Sequence, residues 1–149
     1  MMFWMLACVS PEVPSQHVGK FALVWDHQFD GPSDTAPDPT VWVHDVGGDG
    51  WGNNQLEYNT DRTENVRLTG DGLLEIVAQR EEYEGNAFTS GRITTNGLWT
   101  GGYGKYEARI KLPEGQGLWP AFWLLGADFD TVGWPSCGEI DIMEMRGDN

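Results

Sequence analysis

The sequence is short of positive charge: nine Lys and Arg stand against 23 Asp and Glu in 149 residues, a formal net charge of -14. Nucleic acids and anionic membrane surfaces are bound through a basic footprint, so neither is expected as a partner. Cysteine is nearly absent. Cys8 lies in an N-terminal stretch unlike the rest, which argues against pairing it with Cys137, and no disulfide framework or cysteine metal cluster is visible. Histidine is equally sparse, and His17, His27 and His44 are scattered without ligand spacing, so they read as structural and no metal site is assigned. No later segment reaches the roughly 20 apolar residues of a membrane span. There is no helical stripe of useful length, no internal repeat and no low-complexity tract.

What the sequence does have is 20 Gly and eight Trp. Short alternating or apolar runs punctuated by Gly, Pro, Asn and Asp are an all-β pattern. More Trp than a small core needs implies that some face solvent or a ligand. Met1–Cys8 (MMFWMLAC) is apolar and precedes a Ser/Pro-rich run, so residues 1–20 read as a truncated export signal or linker. Leu6-Ala7-Cys8 resembles a lipoprotein cleavage site. The expectation is export, to the periplasm or the extracellular space, with Cys8 as a candidate lipid anchor.

Strands are expected over Phe21–Phe29, Val41–Val46, Leu56–Asn59, Val66–Thr69 and Leu73–Arg80, with Asp71-Gly72 as a tight turn. Lys105–Leu112 alternates most clearly. Tyr106, Ala108, Ile110 and Leu112 fall on one face and four charged residues on the other, the pattern of a half-buried strand. Leu118–Leu125 is apolar on both faces and is expected mid-sheet with both sides covered. Leu118, Phe122 and Leu124 suit a core; Trp119, Ala121 and Trp123 suit an aromatic floor under a ligand.

The segment with most chemistry is Gly138–Met145, GEIDIMEM. Acidic residues are depleted from strands, yet Glu139, Asp141 and Glu144 interleave here with Ile140, Ile142 and Met143. Strict alternation puts Glu139 and Asp141 on one face and turns Glu144 toward the isoleucines, a costly burial. One extra residue at Met143, a β-bulge, returns Glu144 to its companions. Glu139 and Glu144 then stand about 13 Å apart at the backbone, at roughly 3.3 Å per residue. Two inward-leaning side chains close most of that gap, toward the roughly 5–5.5 Å carboxyl separation of retaining glycosidases. In such a cluster one carboxyl is expected to keep a proton while another stays ionised, giving an acid and a nucleophile. The bland alternative is an edge strand whose charges block aggregation. That alternative explains neither the phase of Glu144 nor the Trp-rich strand just upstream.

Glu139-Ile140-Asp141-Ile142-Met143-Glu144 resembles the active-site motif of glycoside hydrolase family 16. The surrounding residues are similar to its laminarinase (endo-β-1,3-glucanase) branch: Gly50–Asn54 (GWGNN), Ser90-Gly91-Arg92, Tyr103–Arg109 (YGKYEAR) and Gly117–Trp123 (GLWPAFW). The resemblance runs from about Phe21 to the end, so residues 21–149 read as the N-terminal part of a catalytic domain of that family. It implies a β-jelly-roll sandwich of the concanavalin A-like lectin/glucanase class, incomplete in this chain, with a glycan cleft on its concave face. It further implies Glu139 as nucleophile, Glu144 as general acid/base and Asp141 as the residue tuning the nucleophile. Trp119, Trp123 and Trp134 become candidate sugar-stacking walls, each with an ordinary structural Trp as the alternative. Asn53 and Arg92 resemble hydroxyl-binding positions; a turn asparagine and a surface ion pair are the competing readings.

The implied activity is hydrolysis of internal β-1,3-glucosidic bonds with retention, on a β-glucan polysaccharide, by a monomer needing no cofactor. Other β-glycans (mixed-linkage glucan, agar or carrageenan) and a non-catalytic glucan-binding role remain as rivals. Many members hold a structural calcium on the convex face. Here Trp25–Gly31 (WDHQFDG) lacks the usual acidic pair, leaving only backbone oxygens near Gly31 from this region. The family's sandwich continues beyond the point where this sequence stops, so residues 1–149 alone are expected to be poorly soluble or inactive.

Overall fold

The computed structural model describes residues 21–147. The export-signal reading of Met1–Cys8, the lipid anchor at Cys8 and the reading of His17 lie outside the described residues. The chain divides between Lys111 and Leu112 into two compact units.

Among the described residues the first unit carries six short strands: β1 (Val43–His44), β2 (Glu57–Asn59), β3 (Val66–Leu68), β4 (Leu74–Ile76), β5 (Phe88–Ser90) and β6 (Ile93–Thr94). β1 pairs antiparallel with β6, β2 parallel with β5, and β3 antiparallel with β4. Bridges from Gly47 to Asn59 and from Gln79 to Thr89 extend these ladders. The β3–β4 hairpin shows why the sequence folds as it does here. Val66, Leu68, Leu74 and Ile76 alternate with Arg67 and Glu75, which face each other in register. The apolar set packs with Phe29 and the partly buried Trp42 and Ile93 as the core, while Arg67 donates to Glu75 at 2.6 Å. The Asp71-Gly72 turn forms as expected. Gly70 and Gly72 take φ values of 90° and 72°, a region that side chains disfavour, and Thr69 N–H closes onto the Leu73 carbonyl at 3.0 Å.

Beside this core lies a buried polar cluster. Asn65 is fully buried and donates from Nδ2 to the Val77 carbonyl (2.9 Å) and the Thr89 hydroxyl (3.0 Å). Its Oδ1 accepts from the Thr60 hydroxyl (2.5 Å) and from Arg62 Nη2 (3.0 Å). Arg62 also binds Glu81, whose carboxyl is held below its ordinary value by that guanidinium and then by the Thr89 hydroxyl. One side chain thus ties three segments together, residues 60–65, Val77 and Thr89.

The second unit holds β7 (Ala121–Leu125), a single turn α1 (Phe129–Val132) and β8 (Glu139–Glu144). β7 and β8 pair antiparallel. The ladder runs on past both strands, through Met145 N–H to the Pro120 carbonyl (3.1 Å) and Gly147 N–H to the Leu118 carbonyl (2.8 Å).

Several expectations need correction. Phe21–Phe29 forms no strand. Leu23 and Val24 are exposed, Trp25 stacks on Trp99 with centroids 4.9 Å apart, and Phe29 alone of the apolar residues enters the core. Lys105–Leu112 is not a strand either. Tyr106 and Ile110 are shielded relative to Lys105, Glu107, Arg109 and Lys111, but alternation only orients side chains, and no ladder forms along this stretch among the described residues. β7 does not lie mid-sheet: β8 flanks one edge, and every β7 side chain is half-buried rather than covered. The remaining expected strands exist but are shorter, and β5, β6 and α1 were not anticipated. His27 and His44 both belong to the fold. His27 Nδ1 accepts from Trp42 Nε1 and from the Phe29 N–H, each at 3.3 Å, and His44 sits on β1.

Removing the Asn65 side chain takes the acceptor from the Thr60 hydroxyl and the side-chain donor from the Val77 carbonyl, while the Thr89 hydroxyl keeps Glu81. Asn65→Ala is expected to destabilise the full-length protein by roughly 2–4 kcal/mol in chemical denaturation, the cost of two orphaned buried groups. Burial holds the His27 imidazole below its ordinary value of 6.5, against the raising pull of Asp38, Asp26 and Asp30. Just below that pH the unfolded chain therefore binds more protons than the folded one. The contribution is complete above the unfolded value and is lost as pH falls through the window beneath it. Thermal unfolding of wild type and His27→Gln from about pH 7 to about pH 5 should show a shallower acid-side loss in the variant.

Candidate active site

The strand register decides where the three carboxylates point. Leu125 lies opposite Glu139, Leu124 opposite Ile140 and Trp123 opposite Asp141; then the register slips, and Phe122 lies opposite Met143 and Ala121 opposite Glu144. Ile142 is the residue left without a partner. Directly opposed residues share a face, and β7 is regular, so Ala121, Trp123 and Leu125 are on one side of the ladder. Glu144, Asp141 and Glu139 accompany them. Phe122 and Leu124 take the other side with Met143 and Ile140. The bulge inferred from the phase of Glu144 is therefore present, with Ile142 rather than Met143 as the inserted residue. Either placement restores the same face, which is why phase alone did not separate them.

The loop over residues 126–138 sets the starting point of β8. Gly138 has φ of 79°, and the Gly126 N–H donates to the Gly138 carbonyl at 3.0 Å, just ahead of the strand start. A Cβ on Gly126 would meet the Cys137 carbonyl oxygen at 2.0 Å, so only glycine closes this loop. Glu139 enters the ladder opposite the last residue of β7 as a result.

Around the carboxylates, Trp123 lies directly across from Asp141 and is half-buried. Trp119 belongs to the same face by the extended ladder, and its indole Nε1 donates to Glu144 Oε1 at 2.7 Å. The Arg146 guanidinium lies over the Trp119 ring, 5.8 Å from its centroid. Trp134 stands in the loop before β8 and is 66% exposed, available as a surface and not required by a core. Glu139, Asp141, Glu144, Trp119, Trp123 and Trp134 all belong to the second unit.

Asn53 and Arg92 belong to the first. Asn53 is exposed in the turn over residues 51–54, its N–H donating to the Gly50 carbonyl at 2.8 Å. Arg92 donates from Nε to Asp45 Oδ2 at 2.9 Å while its guanidinium lies 4.7 Å from the Trp51 ring centroid. Turn asparagine and ion pair, the bland readings, thus both describe real geometry. Trp51 and Asp45 were not singled out from sequence. Trp51 lies inside GWGNN, but its partnership with Arg92 spans 41 residues and leaves no local signal. Arg146 escaped for the opposite reason: a lone basic residue beside an acidic motif carries no pattern.

The family model for glycosyl hydrolases family 16 matches residues 49–149. The chain belongs to that family. It is 50% identical over 131 residues to a beta-glucanase of Rhodothermus marinus, covering 85% of this chain and 44% of the relative. It is 42% identical to a glucan endo-1,3-beta-glucosidase of Cryptopygus antarcticus, covering 87% and 47%. The structure superposes on the laminarinase of Rhodothermus marinus with a TM-score of 0.77 at 48% identity, over 84% of this chain and 50% of that one. The chain thus spans about half the length of the relatives it matches. The all-β, jelly-roll fold class expected from the motif is the class of these family members.

The register makes a test of the bulge simple. Deleting Ile142 shortens the strand to a regular one in which Glu139, Asp141 and the glutamate now at the third alternate position still share a face. Inserting Ala between Met143 and Glu144 turns Glu144 to the other side. The deletion is expected to keep the hydrogen-bonded indole N–H resonance of Trp119 in an NMR spectrum of the full-length protein, and the insertion to lose it.

Proposed function

We propose that the full-length protein hydrolyses internal β-1,3-glucosidic bonds of laminarin-type glucans with retention of configuration, by double displacement. The observation that carries this reading is the bulged pairing of β7 with β8, which sets three carboxylates on one face beside Trp123 and Trp119. The names borne by the relatives from Rhodothermus and Cryptopygus support the substrate. A strongly acidic chain suits a neutral polymer and disfavours sulfated glycans, which call for basic contacts.

In the first step a protonated Glu144 gives its proton to the glycosidic oxygen as the bond to the anomeric carbon breaks, and a Glu139 carboxylate oxygen forms the new bond to that carbon. In the second, Glu144 takes a proton from water, the water oxygen attacks the anomeric carbon and Glu139 departs. Asp141, between the two along the strand, tunes the nucleophile. Trp123 and Trp134 offer aromatic surface to the apolar C–H faces of sugar rings, and Asn53 and Arg92 bind hydroxyls. A polymer substrate places the enzyme outside the cytoplasm, secreted or periplasmic, acting as a monomer. Among the described residues no group of three or more His, Cys, Asp or Glu side chains could hold a metal ion; a structural calcium on the convex face would draw on backbone oxygens near Gly31. No helix among them is long and apolar enough to cross a membrane.

Glu139→Gln and Glu144→Gln in the full-length protein are each expected to lower laminarin turnover by about 10²–10⁴-fold, the usual contribution of such groups. On a substrate with a 2,4-dinitrophenyl leaving group, which departs without a proton, azide should accelerate turnover by the Glu144 variant and yield a β-glycosyl azide seen by NMR, a product of retained configuration not expected from the Glu139 variant. Near-wild-type turnover from either variant would refute the assignment.

A further inference from the structure

We propose that Trp119 is the positioning residue of the general acid/base: its indole N–H holds one oxygen of Glu144 and commits the other, Oε2, to the travelling proton. This rests on the reading of Glu144 given above and assigns Trp119 a role other than a sugar-stacking wall.

Four observations carry it. The ladder beyond β7 and β8, through the Met145–Pro120 and Gly147–Leu118 bonds, sets Trp119 across from Arg146 and diagonal to Glu144 on the carboxylate face. From there the indole Nε1 reaches Glu144 Oε1 at 2.7 Å, a short bond of the charge-assisted kind. The ring is 43% exposed, so burial does not require its N–H to find a partner. The ring has a second partner as well: the Arg146 guanidinium lies within the range of a cation–π contact, which restrains the indole.

The chemistry needs such a bracket. A free glutamate rotates about its last torsion and presents either oxygen, whereas proton transfer requires one oxygen aimed at the glycosidic atom. With Oε1 engaged as an acceptor, the proton of the neutral acid resides on Oε2. After it has passed to the leaving group, Oε2 is the base that receives the proton from water. The N–H bond to Oε1 serves both protonation states, so the bracket stays closed through both halves of the reaction. Glu139 attacks from its own place on the strand and needs no part of it.

Trp119→Phe keeps an aromatic ring and removes the donor; replacing Trp119 by 3-benzothienylalanine removes it at constant ring size and serves if the first variant folds poorly. Each is assayed in the full-length protein on a laminari-oligosaccharide and on 2,4-dinitrophenyl β-laminaribioside, whose leaving group departs without a proton. On the oligosaccharide kcat/KM should fall about ten- to hundredfold with KM within about twofold of wild type, as expected for misplacing a group that acts only in the transition state. On the dinitrophenyl substrate kcat/KM should remain within about threefold, because glycosylation there needs no acid. Equal losses on the two substrates, or a loss carried by KM, would overturn the proposal and leave Trp119 as a binding surface. A Glu144→Gln enzyme that still turns over the oligosaccharide would instead remove the assignment on which it rests.

Discussion

The site depends on one antiparallel pairing with one residue too many. A regular strand alternates its side chains without exception, so three carboxylates at positions 139, 141 and 144 are not able to share a face on a regular ladder. The unpartnered Ile142 shifts the phase once, and only downstream of itself. Glu139 and Asp141 keep the alignment set by Leu125 and Trp123, while Glu144 is brought back opposite Ala121. The same shift carries Met143 to the side of Phe122 and Leu124. A single inserted residue therefore sorts charge from apolar surface along the whole strand.

The two units solve the problem of burying polar groups differently. In the first, Asn65 and Thr89 are fully buried and every donor and acceptor of Asn65 is engaged, so the cluster joins segments far apart in sequence without an orphan at its centre. In the second, Glu139, Asp141 and Glu144 are all exposed. Their position is fixed through the backbone ladder and the Trp119 indole, not through burial. These carboxylates are oriented yet open to solvent.

Family membership and local geometry meet on the same residues. The matched region of the family model, residues 49–149, contains both the GWGNN turn and the carboxylate strand. The aromatic residues divide by role according to what touches them. Trp25 packs on both Trp42 and Trp99, and Trp42 meets His27 and Phe29, a half-buried aromatic cluster of the first unit. Trp51 backs Arg92, Trp119 holds Glu144, and Trp134 stands exposed ahead of the catalytic strand.

By itself the sequence determined the all-β class, the β3–β4 hairpin with its glycine turn, the carboxylate strand and the need for a bulge within it. These features are local: alternation, turn residues and phase are all legible within a few positions. It also pointed wrongly to strands at Phe21–Phe29 and Lys105–Leu112, because alternation states which face a side chain prefers and says nothing of whether a neighbouring strand arrives to pair. Only the tertiary structure decided that Ile142 is the inserted residue, since that depends on which atoms of β7 lie opposite. It alone joined Trp119 to Glu144 across 25 residues and Arg92 to Asp45 across 47. Contacts between strands are set by the ladder that brings them together, and no property of either residue's sequence neighbours records them.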